Sequence, residues 1–276
     1  MNTRNYLNEI LSDVENFRPF IEVNAESFSV EAFHVLGISV IRNLLDPRQV
    51  ELARESWLVS SGSNEDSRKL RFNPVENLDL TEELLRISRD KNVLTLLRKI
   101  FGPNIGVFKR RVVAKDGSFS GSIFLHQDSG YQRGTMDKLS LFIAMTEIKM
   151  NSGGLEFWLG TNRFGYLDDA GEISRAALPK NWPIFKPTLS IGDAVLMDSR
   201  VWHGSDENTS GLPRIMTDFI YQSASCPSSI ETIDEDGKWG DTLSPILFSS
   251  PTLFSRSRVS KINELTAQLQ ETGFAK

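Results

Sequence analysis

The strongest constraint on the fold is a change of texture at Ile105, where short segments with period-two alternation begin. GVFKRRVVA, GSIFLHQ, KLSLFIAMTE, LEFWL, GDAVLMD and RIMTDFIYQ follow one another, separated by clusters of Gly, Asp, Asn and Ser. Side chains alternate between the two faces of an extended chain, so this pattern is that of successive strands packed on a core. In KLSLFIAMTE, Leu139, Leu141, Ile143 and Met145 fall on one face, and Ser140, Phe142, Ala144 and Thr146 on the other. Roughly 120 residues of such strands, after a helical N-terminal third, predict a mostly β protein: a jelly-roll or barrel-like core with helices packed outside it.

The expected organisation is a single domain over 1–276, with a helical part to about residue 103, the β core over about 104–225 and a C-terminal extension over about 226–276. Tyr6, Leu7, Ile10, Leu11 and Val14 lie at helical spacing and predict an amphipathic helix. FHVLGISVIRNLL reads as extended chain, after which Asp46-Pro47 supplies an N-cap and an N1 proline for a helix to about Val59. A polar loop from Ser60 to Asp66 follows, then short helices near 81–88 and 91–101, the second stopped by Gly102-Pro103. Leu167 to Pro187 is long and turn-rich, an insertion of the kind that acts as a lid. SRVSKINELTAQLQ predicts a last amphipathic helix, and DEDGKWGD, from Asp234, a turn: it lacks the distant Glu of a calcium loop.

Composition narrows the function. The 31 Lys and Arg against 36 Asp and Glu leave a net charge of −5, with neither sign collected in a block, which argues against a nucleic-acid or anionic-membrane binder. No stretch approaches the roughly 20 apolar residues of a membrane span, and MNTRNYLNEILSDVENF is too polar for a signal peptide, so a cytoplasmic location is expected. The expected partner is a small molecule, met by a monomer or homodimer. One cysteine, Cys226, excludes an internal disulfide framework and a Cys-rich zinc module, so a metal would have to be held by His and carboxylates. There are three histidines, His34, His126 and His203.

In LHQDSG, His126 and Asp128 are two apart and share one side of an extended chain, and His203 follows the strand-like GDAVLMDS. If those strands are neighbours, two His and one Asp occupy one face of a coordination sphere and leave three positions open, as non-haem Fe(II) requires. Taken alone, a His-x-Asp pair is more often a hydrogen-bonded pair than a metal site. Arg214 begins the next strand, and a hairpin would return it across from His203 and Ser205, where an inward guanidinium and a hydroxyl suit the far carboxylate of a dicarboxylate. Met216 and Asp218 share its side, and Ile215, Phe219 and Tyr221 pack outward under helices. Taken alone, Arg214 reads as a solvated strand-edge residue.

Together these segments resemble the phytanoyl-CoA dioxygenase-like branch of the Fe(II)- and 2-oxoglutarate-dependent oxygenases, over about residues 25–225. His126-Gln127-Asp128 matches the family's His-Gln-Asp motif, and GDAVLMDSRVWHGSDENTSGLPR its distal His block, with Ser two and Arg eleven residues on. GGLEFWLGTN aligns with a glycine-led strand that the family closes with Pro-Gly-Ser-His; Leu159, Gly160, Thr161 and Asn162 stand there instead. The resemblance implies a double-stranded β-helix, Fe(II) held by His126, Asp128 and His203, and 2-oxoglutarate held by Arg214 and Ser205. It also implies dioxygen as oxidant, succinate and carbon dioxide as products, and hydroxylation or another oxidation of a metabolite C–H bond. Related halogenases lack the metal-binding carboxylate, and Asp128 is present.

Substrate contacts are less marked. Gln127 belongs to the motif but points away from its neighbours in ideal strand geometry. Arg111, if it faces the cavity, favours an anionic or strongly polar substrate; with Lys109 and Arg110 it equally suits a solvated face. Tyr131, Arg133, Trp158 and Trp202 either line the pocket mouth or pack, and His34 in its apolar run is structural. The rival classes are a cupin-like metal-dependent isomerase or epimerase not using 2-oxoglutarate, and a non-catalytic small-molecule-binding homologue. Neither a Gly-x-Ser-x-Gly elbow nor a phosphate-binding Gly-rich loop is present.

Overall fold

The computed structural model describes residues 3–60, 80–115, 121–132, 137–167 and 171–241. The loop expected over 61–66, the tail helix and Arg133 lie outside them. Two sheets face each other. The larger, eight-stranded sheet runs β1 (Glu22–Val23), β2 (Ile38–Ile41), β8 (Ala194–Asp198), β5 (Leu139–Ile143), β10 (Arg214–Ser223), β3 (Ile105–Lys115), β11 (Glu231–Ile233), β12 (Trp239–Asp241). The smaller runs β4 (Ile123–His126), β9 (His203–Ser205), β6 (Leu155–Trp158), β7 (Ile184–Phe185). This is the jelly-roll, double-stranded β-helix core expected from the alternating segments.

The alternation in β5 has a direct physical outcome. Leu139, Leu141, Ile143 and Met145 enter a core shared with helices α3 (Pro47–Ser60), α4 (Glu82–Ser88) and α5 (Lys91–Phe101), which supply Val50, Trp57, Leu84, Ile87 and Leu97. Phe142 and Ala144, on the other face, enter a second core with Leu125, Phe157 and Met216 between the sheets. Helix α1 (Thr3–Phe17) buries Ile10 and Val14 in that second core.

The expectation of extended chain through FHVL is corrected: Val30–Leu36 is helix α2, and β2 starts only after it. Ser29 caps the helix by accepting from the Ala32 N–H, and Gly37, at φ 79°, closes it in the left-handed region. The β-branched and aromatic content of the run hides a helix that its two ends declare. A methyl group at Gly37 would also lie 2.3 Å from Val201 Cγ2.

The expected lid is also redrawn. In the described part of 167–187, Ile173 N–H donates to Leu125 O at 2.7 Å, buried Trp182 donates to Leu159 O at 3.0 Å, and Ile184–Phe185 pairs with β6 as strand β7. Arg175 and Lys186 both reach the buried carboxylate of Glu156, whose register partner Gly204 alternates with His203 and Ser205. The segment is thus a strap across the face of the small sheet opposite the one that carries His203 and Ser205. DEDGKWGD forms the expected turn, with Asp234 accepting from the Lys238 N–H, and joins β11 to β12 at the edge of the large sheet.

Candidate metal centre

Strands β4 and β9 pair antiparallel with His126 directly opposite His203, and the ring centroids lie 4.3 Å apart. His126 Nδ1 sits 2.8 Å from Phe124 O and His203 Nδ1 3.0 Å from Val201 O. A carbonyl oxygen only accepts, so the proton of each ring is on Nδ1 and the Nε2 lone pair is left for a ligand. Both Nε2 atoms point at Asp128 Oδ1, at 3.5 and 3.7 Å. Strand β4 stops at His126, but Gln127 stays extended, which keeps Asp128 on the same side as the histidine before a 3-10 turn over Asp128–Tyr131 begins. The ligand atoms of the three residues lie within 4.8 Å of one another, a spacing that one ion would bridge.

Electrostatics agree with that donor set. Burial and the neighbouring His126 push the His203 imidazole down to about 4, against the pull of Asp128, so it is neutral near pH 7. Burial alone would raise the Asp128 carboxyl, but His203, His126 and Arg111 outweigh it and hold the group well below the usual carboxylate range. Ser140, from the facing sheet, donates to Asp128 Oδ2 at 3.4 Å. The Phe157 ring stacks on His203 at 6.3 Å and shields it from water.

The expected hairpin between β9 and β10 is corrected: after Ser205 the chain crosses from the small sheet to the large one, and Arg214 reaches the site from the facing sheet. Arg214 is 2% exposed; its Nη1 donates to Met216 Sδ at 3.3 Å and its Nε has no partner among the described residues. Burial pushes the guanidinium down to about 10. Ser205 Oγ, fully buried, has no hydrogen-bond partner among the described residues either. Two orphaned donors buried on the facing sheets of one cleft are costly unless a ligand acceptor completes them.

A cation absent from the sequence expectations stands beside Arg214 on the large sheet. Lys115 is the register partner of Arg214, is 3% exposed, and donates from Nζ to Asp206 O, beside Ser205, at 2.5 Å. Burial, with Arg214 adding to it, pushes its ammonium down to about 8. Strand parity from Arg111 to Val113 to Lys115 carries the signal that would have found it.

The remaining candidates separate. Gln127 is buried and donates to Gly165 O and Arg200 O at 2.8 and 2.7 Å, while its Oε1 accepts from the Leu167 N–H, so it ties three segments behind the metal strand. Tyr131 ends the 3-10 turn. Trp202 is buried against Phe164, and Trp158 lies under Arg175. Arg111 pairs with Asp218 on the cleft face of the large sheet, whereas Arg110 is buried on the other face against Glu231 and Trp239; the solvated-face alternative for this cluster does not hold for Arg110. His34 lies exposed on α2, its carbonyl accepting from Asn162. The divergent turn is structural: Gly160, at φ 75°, passes under Val14 and Ile10, and Thr161 Oγ1 accepts from the Trp202 N–H just before β9.

Comparison with known proteins accords with this geometry. A family model described as phytanoyl-CoA dioxygenase (PhyH) matches residues 33–216. Ectoine dioxygenase of Streptomyces coelicolor is 25% identical over 168 residues, 52% of this chain and 56% of that protein, so the chain spans little more than half the length of this curated relative. Among solved structures, EctD from S. alaskensis with 2-oxoglutarate and 5-hydroxyectoine is 20% identical with a TM-score of 0.61, covering 72% of this chain and 77% of its own. The epimerase SnoN in complex with Fe3+, alpha ketoglutarate and nogalamycin RO is 19% identical with a TM-score of 0.60, covering 71% and 82%. These two share the fold, and the match over two-thirds of the sequence carries the further conclusion that the chain belongs to the phytanoyl-CoA dioxygenase family.

Proposed function

We propose that the protein is a non-haem Fe(II)- and 2-oxoglutarate-dependent dioxygenase that oxidises a C–H bond of a small-molecule metabolite and releases succinate and carbon dioxide. The observation that carries this reading is the pairing of a His126-Asp128-His203 cluster with the partnerless buried donors of Arg214 and Ser205. His126, Asp128 and His203 would hold the iron, each imidazole offering Nε2. Bound Fe(II) would supply the activation of dioxygen and the oxidation of the C–H bond.

The chain's own residues have separable tasks. Arg214 and Ser205, with Lys115 alongside, would hold the far carboxylate of 2-oxoglutarate and so orient its keto-acid end toward the metal. Burial of all three polar groups keeps that carboxylate out of water, where a charge-assisted contact is stronger. The Nδ1–H contacts to Phe124 O and Val201 O fix both ring planes, as a metal-bound histidine requires. Asp128 fills the carboxylate position that related halogenases lack, which favours oxygen transfer over chlorination.

A cupin-like isomerase without 2-oxoglutarate would have no use for Arg214 and Ser205 as they stand. A non-catalytic homologue would have no need for the complete ligand set. Among the described residues no helix is long and apolar enough to cross a membrane. Anaerobic reconstitution with Fe(II) and 2-oxoglutarate tests the proposal. A weak visible charge-transfer band, absent from Arg214→Ala and His203→Ala, with succinate formed on admitting oxygen, is the expected result. No band and no succinate would favour the isomerase.

A further inference from the structure

Ser205 ends β9 in the small sheet and Arg214 begins β10 in the large one, so residues 206–213 carry the chain between the two groups proposed to hold the far carboxylate. Ladder pairing places Ser205 against Ile123 and Leu155, and Arg214 against Lys115. Those hydrogen bonds act within a sheet. The spacing of the hydroxyl from the guanidinium, across the sheets, depends on the apolar layer between them and on this crossing.

The crossing is built around one side chain. Asn208 is 3% exposed, whereas the residues on either side of it in 206–213 are half-buried or exposed. Its Nδ2 donates to Lys115 O at 3.2 Å and to Leu212 O at 2.8 Å, and its Oδ1 accepts from the Ser210 N–H at 3.1 Å and the Ser210 hydroxyl at 2.6 Å. Both donors and both acceptor sites of the amide are thus used. Lys115 is gripped twice, since its Nζ also donates to Asp206 O, and Lys115 is the register partner of Arg214. The backbone is tied as well: Asn208 bridges to Ser152, and the Thr209 N–H donates to Asn151 O at 2.9 Å. The Lys186–Asp206 ion pair adds little, because its side chains are 37% and 48% exposed. A buried, fully satisfied amide holds one loop geometry, and its loss leaves several polar partners to be satisfied anew.

We infer that Asn208 is a positioning residue for the co-substrate: by locking 206–213 against Lys115 it sets the spacing of Ser205, Lys115 and Arg214, and thereby the length of 2-oxo dicarboxylate that the site accepts. A dicarboxylate held at the metal by one end and at these groups by the other is selected by their separation. The inference rests on the oxygenase reading and says how that site measures its co-substrate.

The test is an anaerobic titration of the visible band in the full chain with Fe(II), using 2-oxoglutarate and 2-oxoadipate, which is longer by one methylene. The wild type should favour 2-oxoglutarate by about tenfold or more. Asn208→Ala should raise the 2-oxoglutarate midpoint about tenfold and the 2-oxoadipate midpoint much less, so that most of the discrimination is lost, while Mn(II) binding without a 2-oxo acid is unchanged. Ser210→Ala removes the hydroxyl donor and leaves both Nδ2 contacts, and should lower the ratio about two- to threefold. It decides the matter if Asn208→Ala does not fold by far-UV circular dichroism. A wild type that does not discriminate, weakened Mn(II) binding in Asn208→Ala, or variants in which both midpoints move by the same factor or neither moves would overturn the inference. An equal loss for the two acids is what a merely structural asparagine gives. Absence of the band in the wild type would instead overturn the oxygenase reading, and this inference with it.

Discussion

Replacing Arg214 by methionine should make the empty protein more stable while destroying its response to 2-oxoglutarate. The guanidinium is buried without a carboxylate against it, and burial moves it from 12.5 to about 10. At about 1.36 kcal/mol per unit, that is a cost on the order of 3 kcal/mol carried by the charged form in the folded state. Methionine fills much of the same channel without a charge, and the void at its shorter tip returns about 1 kcal/mol of the gain. A net stabilisation of about 1–2 kcal/mol remains, a rise of roughly 2–8 °C in melting midpoint for a chain of this size. The sign with pH follows from a depressed base: the penalty is present in full below about 10 and is relieved only as pH rises beyond it. The difference between variant and wild type should therefore be flat from pH 6 to 9.

Ligand binding reverses the order. With Mn(II) as an inert metal and 2-oxoglutarate at about 100 times its Kd, the wild type should gain about 2.7 kcal/mol and the variant almost nothing. Differential scanning fluorimetry with and without 2-oxoglutarate measures both effects. An empty Arg214→Met that melts well below the wild type, or one that keeps the 2-oxoglutarate shift, would show that Arg214 serves the fold and not the co-substrate.

Three further outcomes are expected. Because the Lys115 ammonium is pushed down to about 8, it is charged below that pH and neutral above it, so affinity for 2-oxoglutarate should fall as pH rises through about 8; Lys115→Met should bind more weakly and lose that limb in a band titration. Gly204→Ala would place a methyl group 2.8 Å from Ile123 O, so it should part β9 from β4 and weaken metal binding about tenfold or more, read by metal titration, with far-UV circular dichroism retained. Glu156→Ala leaves Arg175 and Lys186 without their shared carboxylate; both are partly exposed, so the cost should be about 1–3 kcal/mol, with faster limited proteolysis within 171–187 as the local readout.

What the sequence discloses follows the strength of each physical signal. Strands packed on both faces announce themselves by which residues alternate, as β5 does, because each face must satisfy a different core. The two helices after residue 80 are bounded by Thr81 and Asp90, each of which caps in the structure as its chemistry suggests. Helix α2 is concealed because seven residues rich in apolar side chains carry too little periodicity to separate it from a strand. The strap is concealed for another reason: its attachment to Glu156 is a contact between residues 19 and 30 positions away, and no local pattern records an ion pair of that kind.

The site divides along the same line. His126 and Asp128 are two residues apart in extended chain at the end of β4, so parity alone puts them together, and register then supplies His203 as the opposite residue. Arg214 is a different matter, because the sequence places it next to His203 while the fold carries it into the other sheet. The proposed metal ligands and the cations proposed to hold 2-oxoglutarate thus stand on opposite walls, joined by the apolar layer that contains Phe142, Phe157 and Met216. Sliding the sheets by even part of a residue spacing would keep every ligand in its strand and still spoil the distance between metal and carboxylate. On the proposed function the second core is therefore part of the catalytic geometry, and a substitution such as Phe142→Ala should weaken 2-oxoglutarate binding although Phe142 belongs to the apolar layer and not to the proposed ligand set. Unchanged 2-oxoglutarate affinity in a folded Phe142→Ala would mean that the two walls are held in register by their loops instead.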